Sequence, residues 1–152
     1  MNVPRLFRLL GRRWFARYSE NAEHPNLRLG SVGETAAREH LSRAGLKFLT
    51  ANFTSPHGEI DLIFRDRDCL VFVEVKSRSA GQWTRPATAV DARKRRRLSL
   101  TAEAYVRKLK DPRVKWRHDI VEVLSGDDGI LEVRHLVHAF PHDTRRPRGW
   151  RW

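Results

Sequence analysis

Asp61, Glu74 and Lys76 are the residues of this sequence best equipped for chemistry. They lie in Gly58-Glu59-Ile60-Asp61-Leu62-Ile63 and, past the polar turn Arg65-Asp66-Arg67-Asp68, in Val71-Phe72-Val73-Glu74-Val75-Lys76. Two carboxylates on neighbouring apolar segments suit a hard divalent cation such as Mg2+ or Mn2+. Such a cation generates hydroxide from water and offsets negative charge building on a phosphorus centre. A lysine two positions after the second acid adds a fixed positive charge at the same place. Together these groups form a minimal kit for metal-assisted cleavage of a phosphodiester.

The elements that must carry this kit are legible from pattern. Leu46–Asn52, Glu59–Arg65 and Cys69–Ser77 read as three strands, with Ser55-Pro56-His57-Gly58 a turn by composition. The second and third should pair as an antiparallel hairpin. Side chains alternate across a strand, so Glu74 and Lys76 share one face. By the same rule Asp61 should project with Glu59 and Ile63, opposite Ile60, Leu62 and Phe64. Ahead of the strands, Ser31-Val32-Gly33-Glu34 has the form of a capping box. The helix it opens should run to about Ala44, stop at Gly45, and bury Ala37, Leu41 and Ala44. After a loop over Ser79–Thr88, a second helix is expected over Asp91–Lys110, burying Leu98, Ala102, Tyr105 and Leu109. Val114–Leu124 and Ile130–Ala139 read as two further strands. The order predicts an α/β domain: a central mixed sheet of about five strands flanked by helices, with the acid-bearing hairpin inside the sheet.

Aspartate is depleted in strands, so Asp61 between Ile60 and Leu62 needs a reason. Glu74 and Lys76 on a Val- and Phe-rich strand are costly to bury without partners. A cation between Asp61 and Glu74 relieves that cost. The plainer alternatives are a solvated strand carboxylate and a cross-strand ion pair. Glu34 has a rival explanation in its own capping box, and Glu59 reads equally well as an outer sheet position or as support for Asp61. His118, His135 and His138 lack zinc-ligand spacing, and one cysteine cannot supply the usual sulfur ligands.

Composition points to a polyanionic partner. The chain has 152 residues, 30 Lys and Arg against 18 Asp and Glu, and a formal net charge of +12. That excess favours nucleic acid, DNA first with RNA not excluded, or an anionic membrane surface. Cys69 is the lone cysteine, which rules out an intramolecular disulfide framework and fits a reducing, cytoplasmic setting. No apolar run approaches the length of a membrane span. Three regions are expected: a basic extension over residues 1–29, the α/β domain over 30–140, and a basic tail over 141–152 holding Trp150 and Trp152. Residues 1–17 interleave arginines with Leu6, Leu9, Leu10, Trp14 and Phe15, so an amphipathic arm on nucleic acid or lipid is one reading and a solvated extension the other. The block Arg93-Lys94-Arg95-Arg96-Arg97 opens the second helix against its macrodipole. A phosphate bound by Lys94, Arg95 or Arg97 offsets that cost, and Arg78 lies close enough to Lys76 to join them.

These motifs carry a resemblance. Gly33-Glu34 with Ala37, Asn52, the Gly58–Ile63 segment, Phe72-Val73-Glu74-Val75-Lys76-Ser77-Arg78, Ala89-Val90 with Lys94, Asp119 and Ala139-Phe140 together resemble the YraN family, also known as UPF0102. More broadly the chain resembles the restriction-endonuclease-like superfamily, whose core is Asp…Glu-x-Lys, and it is similar to archaeal Holliday junction resolvases. The resemblance spans about residues 30–140. It implies a restriction-endonuclease-like fold and a metal site built from Glu34, Asp61, Glu74 and Lys76, with the Val75 carbonyl completing the shell beside Asp61 and Glu74. It also implies Mg2+ or Mn2+ as cofactor, cleavage leaving a 5′-phosphate, and a homodimer. One departure is His118, between Arg117 and Asp119, where the family often has an aromatic residue. The expected function is a metal-dependent DNA endonuclease, acting on branched or repair intermediates. The alternatives are a binding module that keeps the fold without hydrolysis, and a peripheral protein held on membrane by its arm.

Overall fold

A computed structural model describes residues 25–80, 90–109 and 113–143, with side chains in the first helix from Val32 on. The expected arm up to residue 24, most of the loop holding Gly81 and Pro86, and the tail beyond Asp143 lie outside the described residues.

Helix α1 spans Pro25–Arg43 and so begins well before the expected cap at Ser31. Proline has no N–H to lose in a first helical turn, so Pro25 is a permissible start. Gly30 and Gly33, which weaken helix propensity, fall inside the helix. Glu34 is therefore not the third residue of a cap. The C-terminus follows expectation. Gly45 takes φ 90°, its N–H donates to the Ser42 carbonyl, and the Leu46 N–H donates to the Leu41 carbonyl at 3.1 Å. This is a Schellman closure, with Leu46 packing back on the cluster that holds Leu41.

Strands β1 (Lys47–Ser55), β2 (Gly58–Asp66) and β3 (Cys69–Ser79) follow, then helix α2 (Ala92–Leu109), β4 (Lys115–Gly126) and β5 (Gly129–Phe140). They form one five-stranded sheet in the order β1-β2-β3-β4-β5. Only β3 and β4 are parallel, which requires a crossover connection, and α2 supplies it. The sheet is thus mixed, and the acid-bearing hairpin β2–β3 lies in its interior.

The two helices cover opposite faces. On the α1 face, Ala37 and Leu41 meet Leu62, Phe64, Val71, Val73, Val121 and Val123. On the α2 face, Leu98, Ala102 and Leu109 meet Ile63, Leu70, Phe72 and Ile120. Tyr105 stays partly buried there, edge-on to Phe53 and Phe72 with ring centroids 5.0 and 5.7 Å apart. Buried side chains of this size contribute about 1.5–3 kcal/mol each.

Along β2, simple alternation fails at one place, and it is the place that matters. Leu62 and Phe64 pack on the α1 face, yet Ile60 packs on the α2 face with Ile63. The pairing partners switch likewise: Ala51 opposite Leu62 lies on the α1 face and Phe53 opposite Ile60 on the α2 face. Between these two pairs sit Asn52 and Asp61, and Asn52 has φ 51°. A left-handed residue, which asparagine tolerates better than most, rolls the strand and turns the hairpin tip over. The expected grouping of Ile60 with Leu62 and Phe64 is thereby corrected, and Asp61 stands at the crossing.

Candidate active site

The β2–β3 ladder runs from Asp66↔Cys69 to Leu62↔Val73 and stops there. β3 continues beside β4 as far as Ser79↔Ser125. Past Val73, then, β2 peels away and a notch opens between the two strands. The next residues on either side are Asp61 and Glu74. One Asp61 carboxylate oxygen accepts the backbone N–H of Val75 at 2.7 Å, bridging the notch.

Glu74 is nearly buried, at 7% exposure. Its Oε1 receives two ammonium groups. Lys76 Nζ lies 2.9 Å away, as expected for same-face neighbours on one strand. Lys94 Nζ, from the first turn of α2, makes a close ion pair with the same oxygen. Asp91 sets that turn in place: its Oδ1 accepts the Lys94 backbone N–H at 2.7 Å, and its carbonyl accepts the Arg95 N–H at 2.9 Å. Asp91 is thus the N-cap, and its charge partly answers the cationic block against the helix dipole.

Glu34 approaches from the α1 face because Gly33 lets the helix lie close on β3. A Cβ at Gly33 would collide with the Ser77 hydroxyl and come within 3.2 Å of Ser77 Cβ and 3.8 Å of Val75 Cγ1. Val75 is half-buried on this face and packs with the Leu41 cluster.

Electrostatics mark these carboxylates as mutually uncomfortable. Burial, then the neighbouring Glu74 and Glu34 charges, push Asp61 up to about 7, against the pull of the Val75 N–H and of Lys94. Burial and the nearby Glu59 raise Glu34 as well. Burial works against the Lys94 ammonium, but its bonds to Glu74 and the Asp61 charge hold it above the ordinary lysine range. Among the described residues no three His, Cys, Asp or Glu side chains form a ready-made metal cage. The oxygens available are the pair Asp61 and Glu74 at the notch. Hard oxygen donors of this kind suit Mg2+ or Mn2+ better than zinc.

The other expected contacts divide. Arg78 follows Glu74 and Lys76 on the same face, half-buried, and its Nε is buried without a hydrogen-bond partner among the described residues. Arg97 is committed elsewhere: its Nε donates to the His57 carbonyl at 3.0 Å and its guanidinium lies beside Gly58. That contact, with Ser55 Oγ donating to Thr101 Oγ1 at 3.1 Å, ties α2 to the β1–β2 turn. Arg95 is half-buried and has no ion pair among the described residues.

Two clusters escaped the reading of the sequence. Asp119 is fully buried, and its carboxylate gathers Arg117 Nε at 3.1 Å, His135 Nε2 at 2.8 Å and the His138 N–H at 3.0 Å. Arg117 reaches on to Asp66 at 2.9 Å. This network locks β4 to β5 and to the far end of β2, which leaves His135 a structural partner. The second cluster is aromatic. His118 stacks on Phe140 at 4.5 Å and meets Trp116 edge-on at 5.3 Å. Burial and His142 push its pKa down to about 4, so the ring is neutral and packs as one more aromatic among Phe72, Trp116 and Phe140.

None of the described helices is long and apolar enough to cross a membrane. Comparison with known proteins finds relatives matched over most of their own length. A UPF0102 protein of Symbiobacterium thermophilum is 42% identical over 113 residues, 74% of this chain and 96% of the relative. One of Rhodococcus opacus is 37% identical over 115 residues, 76% of this chain and 98% of the relative. One of Ectopseudomonas mendocina is 40% identical over 113 residues, 74% of this chain and 93% of the relative. The family profile covers residues 33–123, from the close-packed Gly33 through the notch acids and most of β4, and the chain belongs to the uncharacterised protein family UPF0102.

Proposed function

We propose that this protein is a metal-dependent endonuclease acting on DNA, built on a restriction-endonuclease-like scaffold. The observation that carries the reading is the notch where β2 leaves β3. There Asp61 and Glu74 meet with Lys76 beside them, and burial with like charge drives the Asp61 carboxyl up to about 7. A carboxylate pair so destabilised has a use for a divalent cation.

Asp61, Glu74 and the Val75 carbonyl are the groups that would hold Mg2+ or Mn2+. When bound, the ion lowers the pKa of water and neutralises charge on the phosphoryl oxygens. The remaining work falls to the chain. Lys76, fixed by Glu74, offers its ammonium to the phosphate as charge develops. Glu34 accepts a proton from a water and orients it. Arg78, Lys94 and Arg95 contact the phosphate backbone without reading sequence, and Arg97 contributes its charge from the β1–β2 turn. Net charge +12 draws the polyanion in. A cytoplasmic homodimer acting on branched DNA is the setting in which we place this activity.

The test is cleavage of labelled duplex, single-stranded, flap and four-way-junction DNA, with an RNA control, in Mg2+ or Mn2+. Cutting by the wild type that disappears in both Asp61→Ala and Glu74→Ala supports the nuclease. Cutting that survives both substitutions sinks it. One observation favours a second reading, a binding module without hydrolysis: two lysines already neutralise Glu74 without any metal. Salt-sensitive DNA binding without cleavage of any substrate would select it.

A further inference from the structure

Glu74 holds more positive charge than one carboxylate oxygen requires. Lys76 and Lys94 converge on Oε1 from different elements. Lys76 is fixed by its place in the strand, two residues from Glu74, with its side chain 29% exposed. Lys94 reaches in from α2 on a long flexible stem and keeps 40% of its side chain exposed. Its helix turn is anchored through the backbone by Asp91, independently of where its ammonium points. Of the two, Lys94 comes from a different element than Glu74 and has the more exposed side chain, so its ammonium can turn to solvent while the strand stays as it is.

We infer that Lys94 is the resident cation of the notch: it occupies the place on Glu74 that a divalent ion takes, yields it when the ion enters, and is thereby delivered to a phosphate of the incoming nucleic acid. This inference rests on the nuclease reading and adds to it a coupling between metal and substrate. With Lys94 in place, Lys76 and Lys94 largely balance Glu34, Asp61 and Glu74. A divalent ion added to that set overcharges it, and Coulomb repulsion expels the more mobile ammonium. A phosphodiester nearby then accepts the displaced charge. Metal and nucleic acid must each favour the other's binding, since linkage is reciprocal. The device also limits metal capture when no substrate is present.

The experiment is calorimetric titration of Mn2+ into the metal-free full chain, wild type against Lys94→Met, with Glu74→Gln as the control for the site. Fluorescence anisotropy then reads the affinity for a short labelled duplex at 4 °C with and without Mn2+. Removing a like charge this close should tighten Mn2+ binding roughly tenfold in Lys94→Met. Mn2+ should strengthen duplex binding by the wild type and leave Lys94→Met unchanged. Lys94→Gln carries the same comparison should the methionine variant fail to fold. Equal or weaker Mn2+ binding in the variant, with Glu74→Gln abolishing it, would overturn the role of Lys94 and leave the nuclease reading standing. No Mn2+ binding by the wild type or the variant would overturn both.

Discussion

The Asp61 carboxylate accepts the Val75 backbone N–H at 2.7 Å, just beyond Leu62 and Val73, where the ladder between their strands ends. A side chain thus stands where a strand carbonyl has withdrawn. The bond fixes the acid against the strand that carries Glu74 and Lys76. Asp61 is thus a structural acceptor, while burial and the Glu74 charge disfavour its ionised form, and substitution can separate the two.

Asparagine at position 61 keeps an oxygen for the Val75 N–H and removes the charge. Asp61 is raised from its ordinary value to about 7, first by burial and then by Glu74. The folded protein therefore retains a proton that the unfolded chain releases near pH 4. Its contribution to stability is complete below that pH and is lost as pH rises through about 7. Urea denaturation without divalent ions should show the wild type weakening from pH 5 to 8 relative to Asp61→Asn. At pH 8 the variant should be more stable, by on the order of 2 kcal/mol. Parallel pH profiles for the two proteins would mean that Asp61 ionises normally.

The mixed sheet, its strands and the hairpin that carries the acids were legible because they rest on local pattern. Apolar runs broken by Pro56-His57, Arg67-Asp68 and Asp127-Asp128 announce the strands, and two-residue periodicity puts Glu74 beside Lys76. What stayed hidden depends on approach between distant elements. The early start of α1 is obscured by Gly30 and Gly33, and Gly33 is explained by Ser77 across the interface. The face switch at Asp61 depends on a left-handed Asn52 on the adjoining strand. Lys94 read as a phosphate contact, because only folding shows it on Glu74. The Asp66–Arg117–Asp119–His135 network joins three strands, and no spacing along the chain announces it.

Gly33 invites a double-mutant cycle. Alanine inside a helix is favoured over glycine by about 1 kcal/mol. At position 33 its Cβ must displace the Ser77 hydroxyl and press on Ser77 Cβ at 3.2 Å. The two effects oppose each other, so Gly33→Ala in the wild type should bring no gain in stability. With Ser77→Gly already in place, the obstruction is gone and Val75 Cγ1, at 3.8 Å, is an ordinary neighbour. There Gly33→Ala should stabilise by about 1 kcal/mol. Thermal melts of the four proteins decide the matter. An equal effect in both backgrounds would mean that α1 is free to shift, and that Glu34 is not held by close packing on β3.

His118 offers a test of whether its slot is aromatic or ionisable. Its ring is buried and stacked on Phe140, and its pKa lies near 4, chiefly through burial and then through His142. The folded state thus binds fewer protons than the unfolded chain between that value and the ordinary histidine range. The stability this gives is complete above about pH 6.5 and is lost as pH falls toward 4. Phenylalanine fills the same slot without titrating, and gives up only the 3.4 Å contact with Ser99 Oγ, which still accepts the Asp143 N–H. His118→Phe should therefore stay within about 1 kcal/mol of the wild type at pH 7.5. Between pH 7.5 and 4.5 it should lose about 2 kcal/mol less than the wild type. Denaturant midpoints at the two pH values measure both effects. A large loss at pH 7.5 would show that the Ser99 contact, and not the stack on Phe140, is what position 118 supplies.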